Sequence, residues 1–96
     1  MIGGRKIVRV KPGHESEFES LFKQLREEMH KSEPGCLLYS LLRSRTHPRD
    51  YIVQEQYRDQ AALDAHQASP IGPAMFPKMR ALLEIINVEY FDVVVK

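Results

Sequence analysis

Within "YIVQEQYRDQAALDAHQASP", residues 51–70, two side chains are suited to moving protons: Glu55 and His66. Glu55 interrupts a β-branched, aromatic run and shares strand parity with Tyr51, Val53 and Tyr57. A carboxylate on such a face costs free energy unless it is paired or neutralised. His66 stands three and four residues after Leu63 and Ala62, so it shares the apolar face of a short helix. Taken singly, these are a core histidine bonded to a carbonyl and an edge glutamate in water. Taken together, they flank a tight strand-to-helix connection and can approach the same cavity. A carboxylate beside an imidazole fixes its tautomer. The pair is a candidate proton-abstracting unit.

The elements that must position them follow from periodicity. "RKIVRVK" (5–11) alternates as a strand, and "PG" at 12–13 stops it; "GG" at 3–4 reads as a flexible start. Phe18, Leu21, Phe22, Leu25 and Met29 recur at helical spacing within 14–30. Early Glu15, Glu17 and Glu19 and late Lys31 suit the helix dipole. Pro34 and Gly35 fit the centre of a type II turn. "CLLYSLLRSR" (36–45) and "YIVQEQY" (51–57) form a hairpin. Asp59 caps a helix over about 60–68, and Ser69-Pro70 ends it. "PIGPAMFP" reads as irregular, with helical spacing resuming through Met75, Met79, Leu82 and Leu83, and a kink at Pro77. "IINVEYFDVVV" (85–95) is the last strand.

The order β-α-β-β-α-β is the ferredoxin-like α+β arrangement, an antiparallel four-stranded sheet with helices on one face. The 96 residues make a single domain, 1–96. A net charge of +1 gives no electrostatic case for nucleic acid or an anionic membrane. No apolar run approaches the ~20 residues of a spanning helix, and no signal peptide is evident, so the expected location is the cytoplasm. Cys36 reads as a buried, inert thiol. Histidines 14, 30, 47 and 66 form no metal-ligand pattern, and no glycine-rich phosphate loop or serine elbow appears. Arginines 43, 45, 49 and 58 gather about the hairpin, as a solvated surface or a means of steering an anion.

The second and last strands are apolar on both sides. Cys36, Leu38 and Leu42 oppose Leu37, Tyr39 and Leu41; Ile86, Val88, Tyr90 and Val94 oppose Ile85, Phe91, Val93 and Val95. Helices cover one face only, and a strand greasy on both sides needs two covers. Each fully buried Leu, Val or Phe contributes ~1.5–3 kcal/mol. The expected second cover is another copy of the sheet, giving a homodimer of barrel-like shape. Within the hairpin, a four-residue loop (46–49) would set Ser40 opposite Glu55 and Leu38 opposite Tyr57. A five-residue loop would bring Leu41 and Tyr39 there instead.

The acidic helix after "PG", then "EPGCLLYSLLRS" and "YIVQEQYRDQAALDAH", resemble the antibiotic biosynthesis monooxygenase domain family, and within it the quinol monooxygenases. The pattern E-x-aromatic-x-[DE]-x-x-A-L-x-x-H falls on Glu55, Tyr57, Asp59, Ala62, Leu63 and His66. Many relatives carry tryptophan at Tyr57 and a second histidine at Ile71. The haem-degrading branch is not matched: His66 stands about where its tryptophan would be, and Phe76 near its iron-binding histidine.

The resemblance implies a dimeric α/β barrel and an oxygenase without flavin, haem or metal, hence no cofactor. Triplet oxygen reacts directly with an electron-rich anion by accepting one electron. The protein must then deprotonate the substrate, hold it flat and exclude water. On this reading His66 takes the proton from a quinol or polyphenol, Glu55 orients His66, and Tyr57, Leu38, Ser40 and Phe76 line the pocket. Two other readings use the same scaffold. One is an isomerase or degrading enzyme for a small hydroxyketone signal, resembling the autoinducer-2-processing relatives. The other is a non-catalytic ligand-binding or stress dimer.

Overall fold

In a computed structural model that describes all 96 residues, the chain forms β1 (Ile2–Val10), α1 (Glu15–Ser32), β2 (Cys36–Arg43), β3 (Asp50–Tyr57), α2 (Gln60–Ala68), α3 (Ile71–Arg80) and β4 (Leu83–Asp92). The strands make one antiparallel sheet in the order β2-β3-β1-β4. This is the ferredoxin-like frame with one helix more than the sequence periodicity suggests. No helix is long and apolar enough to cross a membrane.

Each helix begins and ends for a local reason. Gly13 turns the chain after β1 at φ 82°, the left-handed region that glycine enters without strain. The apolar stripe of α1 buries Phe18, Phe22, Leu25 and Met29 against the sheet. Phe22 stacks on Tyr39 with ring centroids 5.1 Å apart, and Phe18 meets Tyr51 at 5.3 Å. Asp59 caps α2 as expected, its carboxylate accepting from the Ala62 amide at 2.9 Å.

Most of the stretch "PIGPAMFP", read as irregular, belongs to the continuous helix α3, which runs unbroken through Pro77. Pro73 lies in the first turn, where an amide has no intrahelical partner to lose. Pro77 removes one bond only, and burial of Met79 holds the remainder in place. The last strand runs over 83–92 rather than 85–95, with Val94 and Val95 exposed beyond it.

Two glycines serve close approach. Gly4 is inside β1, not in a flexible leader, and pairs with Glu55 across the ladder. A Cβ there would stand 2.7 Å from Glu55 Cγ. Gly35 is not the left-handed residue of a type II turn, since Gly13 alone has positive φ. A Cβ on Gly35 would instead meet the Ala62 Cβ at 2.5 Å, so glycine lets the α1–β2 turn lie against α2.

The hairpin register is neither of the two that loop length alone suggests. Tyr39 faces Glu55, Ser40 faces Gln54 and Leu38 faces Gln56. The Ser44 hydroxyl accepts from the amides of Thr46 and His47, and the Ser44 amide bonds the Asp50 carbonyl. That turn lengthens the loop to residues 44–49, and a bulge between Cys36 and Leu38 absorbs a further residue. One residue of slip exchanges the two faces of β2.

On the helix-bearing face the core gathers Val8, Val10, Tyr39, Tyr51 and Val53 beneath α1, Met79 and Leu82. The other face carries Ile7, Leu42, Ile85 and Phe91, each 39–46% exposed. The strands are thus apolar on both sides, as read from their parity.

Candidate functional site

Glu55 lies in the middle of β3 and is 1% exposed. Its Oε1 accepts a hydrogen bond from the Tyr57 hydroxyl at 2.9 Å. Lys6, from the adjacent strand β1, brings Nζ to 3.4 Å from Oε2. That contact is a charge pairing without hydrogen-bond alignment, since Oε2 is buried and lacks a hydrogen-bond partner. Lys6 in turn lies over the Phe76 ring at 5.0 Å and the Tyr39 ring at 5.8 Å.

His66 lies in the last turn of α2 and is 8% exposed. Its ring is 5.2 Å from that of Tyr57 and 6.1 Å from that of Tyr39. Its carboxylate partner is Glu33, with Nδ1 2.7 Å from Oε1. The expected direct Glu55–His66 pair is therefore not formed. Tyr57 stands between them, its ring against the imidazole and its hydroxyl on Glu55. The two residues do share one face of the sheet and one cluster.

The physical reason is reach. Residue 55 sits mid-strand, whereas α2 packs its C-terminal half toward the α1–β2 turn, which presents Glu33 to it. An ionised carboxylate accepts and does not donate, so this contact calls for a proton on Nδ1. Nε2 has no hydrogen-bond partner and is not sealed from solvent.

Beside this cluster lie two adjoining cavities. One, of about 240 Å³, is walled by Val8, Phe22, Tyr39, Val53, Met79 and Val88. The other, of about 500 Å³, is bordered by His66, Gln67, Gly72 and Pro73. Lys6, Phe76, Arg80 and Tyr90 line both. Of the residues proposed from the sequence, Phe76 borders both cavities and His66 the second. Tyr57 is fully buried and supports the imidazole from behind rather than walling the space. Glu55 is sealed behind Lys6. Leu38 and Ser40 line a separate groove of about 160 Å³ with Arg26, Met29 and His30. The register difference accounts for that: the residue that turns toward Glu55 is Tyr39.

Burial, and then the Glu55 charge, push the phenols of Tyr39 and Tyr57 far above their usual range. Tyr90 is raised by the same two causes in the same order. These hydroxyls are neutral donors, not bases. Burial and then Glu33 push the Cys36 thiol up to about 11, which makes it a poor nucleophile. No three His, Cys, Asp or Glu side chains converge in a way that could hold a metal ion.

Residues 4–76 match the family model for antibiotic biosynthesis monooxygenase. The chain belongs to the antibiotic biosynthesis monooxygenase family. It is similar to a provisionally assigned antibiotic biosynthesis monooxygenase of Caulobacter crescentus CB15, with 34% identity, a TM-score of 0.91, and coverage of 98% of this chain and 90% of that one. A conserved protein of Methanosarcina mazei Go1 is 27% identical at TM-score 0.86, over 94% and 89% of the two chains. A variant of SnoaB, a cofactor-independent oxygenase of Streptomyces nogalater, shares the fold at TM-score 0.87 and 23% identity, over 99% and 94%. An uncharacterised protein of Synechocystis is 38% identical over 63 residues, 66% of this chain. The match covers 42% of that relative, so the chain spans less than half its length.

Glu33, Lys6, Arg80 and Tyr90 were not singled out from the sequence as site residues. Two of them carried a signal. An acidic residue at the C-terminal end of a helix opposes the dipole, and Glu33 is the C-cap of α1. Lys6 shares parity with Val8 and Val10 on a strand face that is otherwise apolar.

Proposed function

We propose that this member of the family is a cofactor-independent monooxygenase that oxidises a quinol or polyphenolic aromatic with molecular oxygen. The observation that carries the reading is an imidazole at the border of one cavity that adjoins a second, apolar one, with Lys6, Phe76, Arg80 and Tyr90 lining both. SnoaB, which shares the fold, is described as a cofactor-independent oxygenase.

In this mechanism a phenolic hydroxyl gives its proton to His66 Nε2. The resulting anion lies against Phe76 and the apolar wall, its charge facing the Lys6 ammonium. Oxygen then accepts electrons from the anion. One oxygen atom enters the product as a carbonyl and the other leaves as water, all four electrons coming from the substrate. Glu55 does not touch the ring of His66. Its role is to hold Lys6 and, through Tyr57, the wall behind the imidazole. Leu38 and Ser40, on their separate groove, have no part in this mechanism.

The uncovered face bearing Ile7, Leu42, Ile85 and Phe91 is assigned to a second copy of the chain, which makes the working form a homodimer. The expected setting is the cytoplasm.

The decisive experiment is oxygen uptake by protein treated with chelator, across a panel of hydroquinones and polyphenols. Uptake is expected to fall at least ~100-fold in His66→Ala. Equal turnover of a hydroquinone by folded His66→Ala overturns the reading, and product formation that persists without air identifies an isomerase instead.

A further inference from the structure

Glu33 and His66 form a buried dyad whose histidine end borders a cavity. The Glu33 side chain is 8% exposed and that of His66 6%. One carboxylate oxygen, Oε1, takes the imidazole at 2.7 Å; the other, Oε2, is buried without a partner. An orphaned buried carboxylate oxygen is rare and costly unless function retains it. His66 borders the cavity that also holds Lys6, Phe76 and Tyr90. Glu33 borders a different space, a groove of about 540 Å³ lined by Gly35, Arg58, Ala62, Ala65 and Ser69.

We propose that Glu33 holds His66 as the Nδ1–H tautomer and, by its charge, stabilises the imidazolium that forms when Nε2 takes a proton. This rests on His66 acting as the base. When Nε2 takes the phenolic proton, the Nδ1 proton stays on its 2.7 Å bond to Glu33 Oε1, and the carboxylate charge stabilises the imidazolium. The imidazolium then gives its Nε2 proton to the departing oxygen, which leaves as water. Glu33 is a positioning residue that acts through His66. The charged and titratable groups about the dyad are Cys36 and Tyr39 from β2, Glu55 and Tyr57 from β3, Lys6 from β1, Tyr90 from β4 and Arg80 from α3, with Glu28 and Arg58 at the groove.

Nitrogen-15 spectra of the ligand-free protein at pH 8 read the tautomer without any turnover. The expected pattern for His66 is a protonated Nδ1 and a bare Nε2. Glu33→Gln retains an acceptor oxygen and is expected to keep that pattern, while oxygen uptake falls about tenfold because a neutral amide does not stabilise the imidazolium. In Glu33→Ala the tautomers mix, kcat falls about 100-fold with KM within about twofold, and added formate, small enough for the space the carboxylate leaves, restores kcat about tenfold. A proton on Nε2 in the parent protein overturns the proposal. So does a folded Glu33→Ala that turns over like the parent, or one that formate leaves unchanged. If the parent consumes no oxygen with any quinol, the monooxygenase reading falls, while the nitrogen spectra still decide what Glu33 does to His66.

Discussion

Tyr57 shows how one hydroxyl determines whether a buried charge is tolerable. It supplies the hydrogen bond to Glu55 Oε1, while Oε2 has only the Lys6 charge nearby. Tyr57→Phe leaves both oxygens of a buried carboxylate without a donor, and is expected to lower unfolding free energy by ~1–3 kcal/mol in denaturant titration. The tyrosines also set an alkaline limit. All four, Tyr39, Tyr51, Tyr57 and Tyr90, have phenols raised above the ordinary value of 10, Tyr51 to about 12 through burial and its bond to Glu19. A group whose folded value is raised contributes stability that is complete below its unfolded value and is lost as pH climbs through the folded one. Stability should therefore hold to about pH 10 and fall between 10 and 12, with tyrosinate absorbance appearing together with unfolding. Tyrosinate growing in at pH 10 in a protein with native circular dichroism contradicts this account. At this scale the sequence showed that Glu55 and His66 were anomalous, because charge and polarity on an apolar face are visible from parity. It did not show their partners, because Glu33 lies 33 residues from His66 along the chain.

The element that matters most to the site is α2, which carries His66 in its last turn on only nine residues. So short a helix is marginal alone and depends on its cap and its packing. Asp59→Ala removes the bond to the Ala62 amide and should cost about 1 kcal/mol, read as a lower denaturation midpoint with an unchanged slope. Gly35→Ala acts from the other side. Its Cβ would press on Ala62 at 2.5 Å and drive α2 away from the turn that bears Glu33. The expected result is a mixed His66 tautomer together with lost stability; parental stability and nitrogen spectra in the Gly35→Ala variant contradict the packing argument. The cap was legible because Asp59 precedes the apolar spacing. The hairpin register was not, since the Ser44 turn shifts the pairing by one residue and moves Tyr39 into the place expected for Ser40, and a bulge near Leu37 then shifts Cys36 by one more.

For the whole molecule, the sheet has one face under three helices and one face open. Ile7, on the central strand β1, and Leu42, Ile85 and Phe91, on the edge strands β2 and β4, would be buried in a sheet-to-sheet contact. Phe91→Glu places a charge there and is expected to convert dimer to monomer in sedimentation velocity, with the monomer less stable at equal concentration. A parent protein that sediments as a monomer at micromolar concentration removes the second copy from the proposal. That both faces are apolar was evident from strand parity, which needs no knowledge of what packs above.

By its sequence alone the chain determines its element order, its ferredoxin-like topology, the anomaly of Glu55 and His66, and the two-sided character of its strands. These follow from local periodicity, capping and parity, all of which are properties of neighbouring residues. The tertiary structure alone decided that His66 answers to Glu33, that Tyr57 and Lys6 attend Glu55, that α3 is continuous through Pro77, and that Tyr39 rather than Ser40 or Leu38 meets the site. Each of these depends on where distant segments meet, and a one-residue change in a loop or bulge alters that meeting without altering any local pattern.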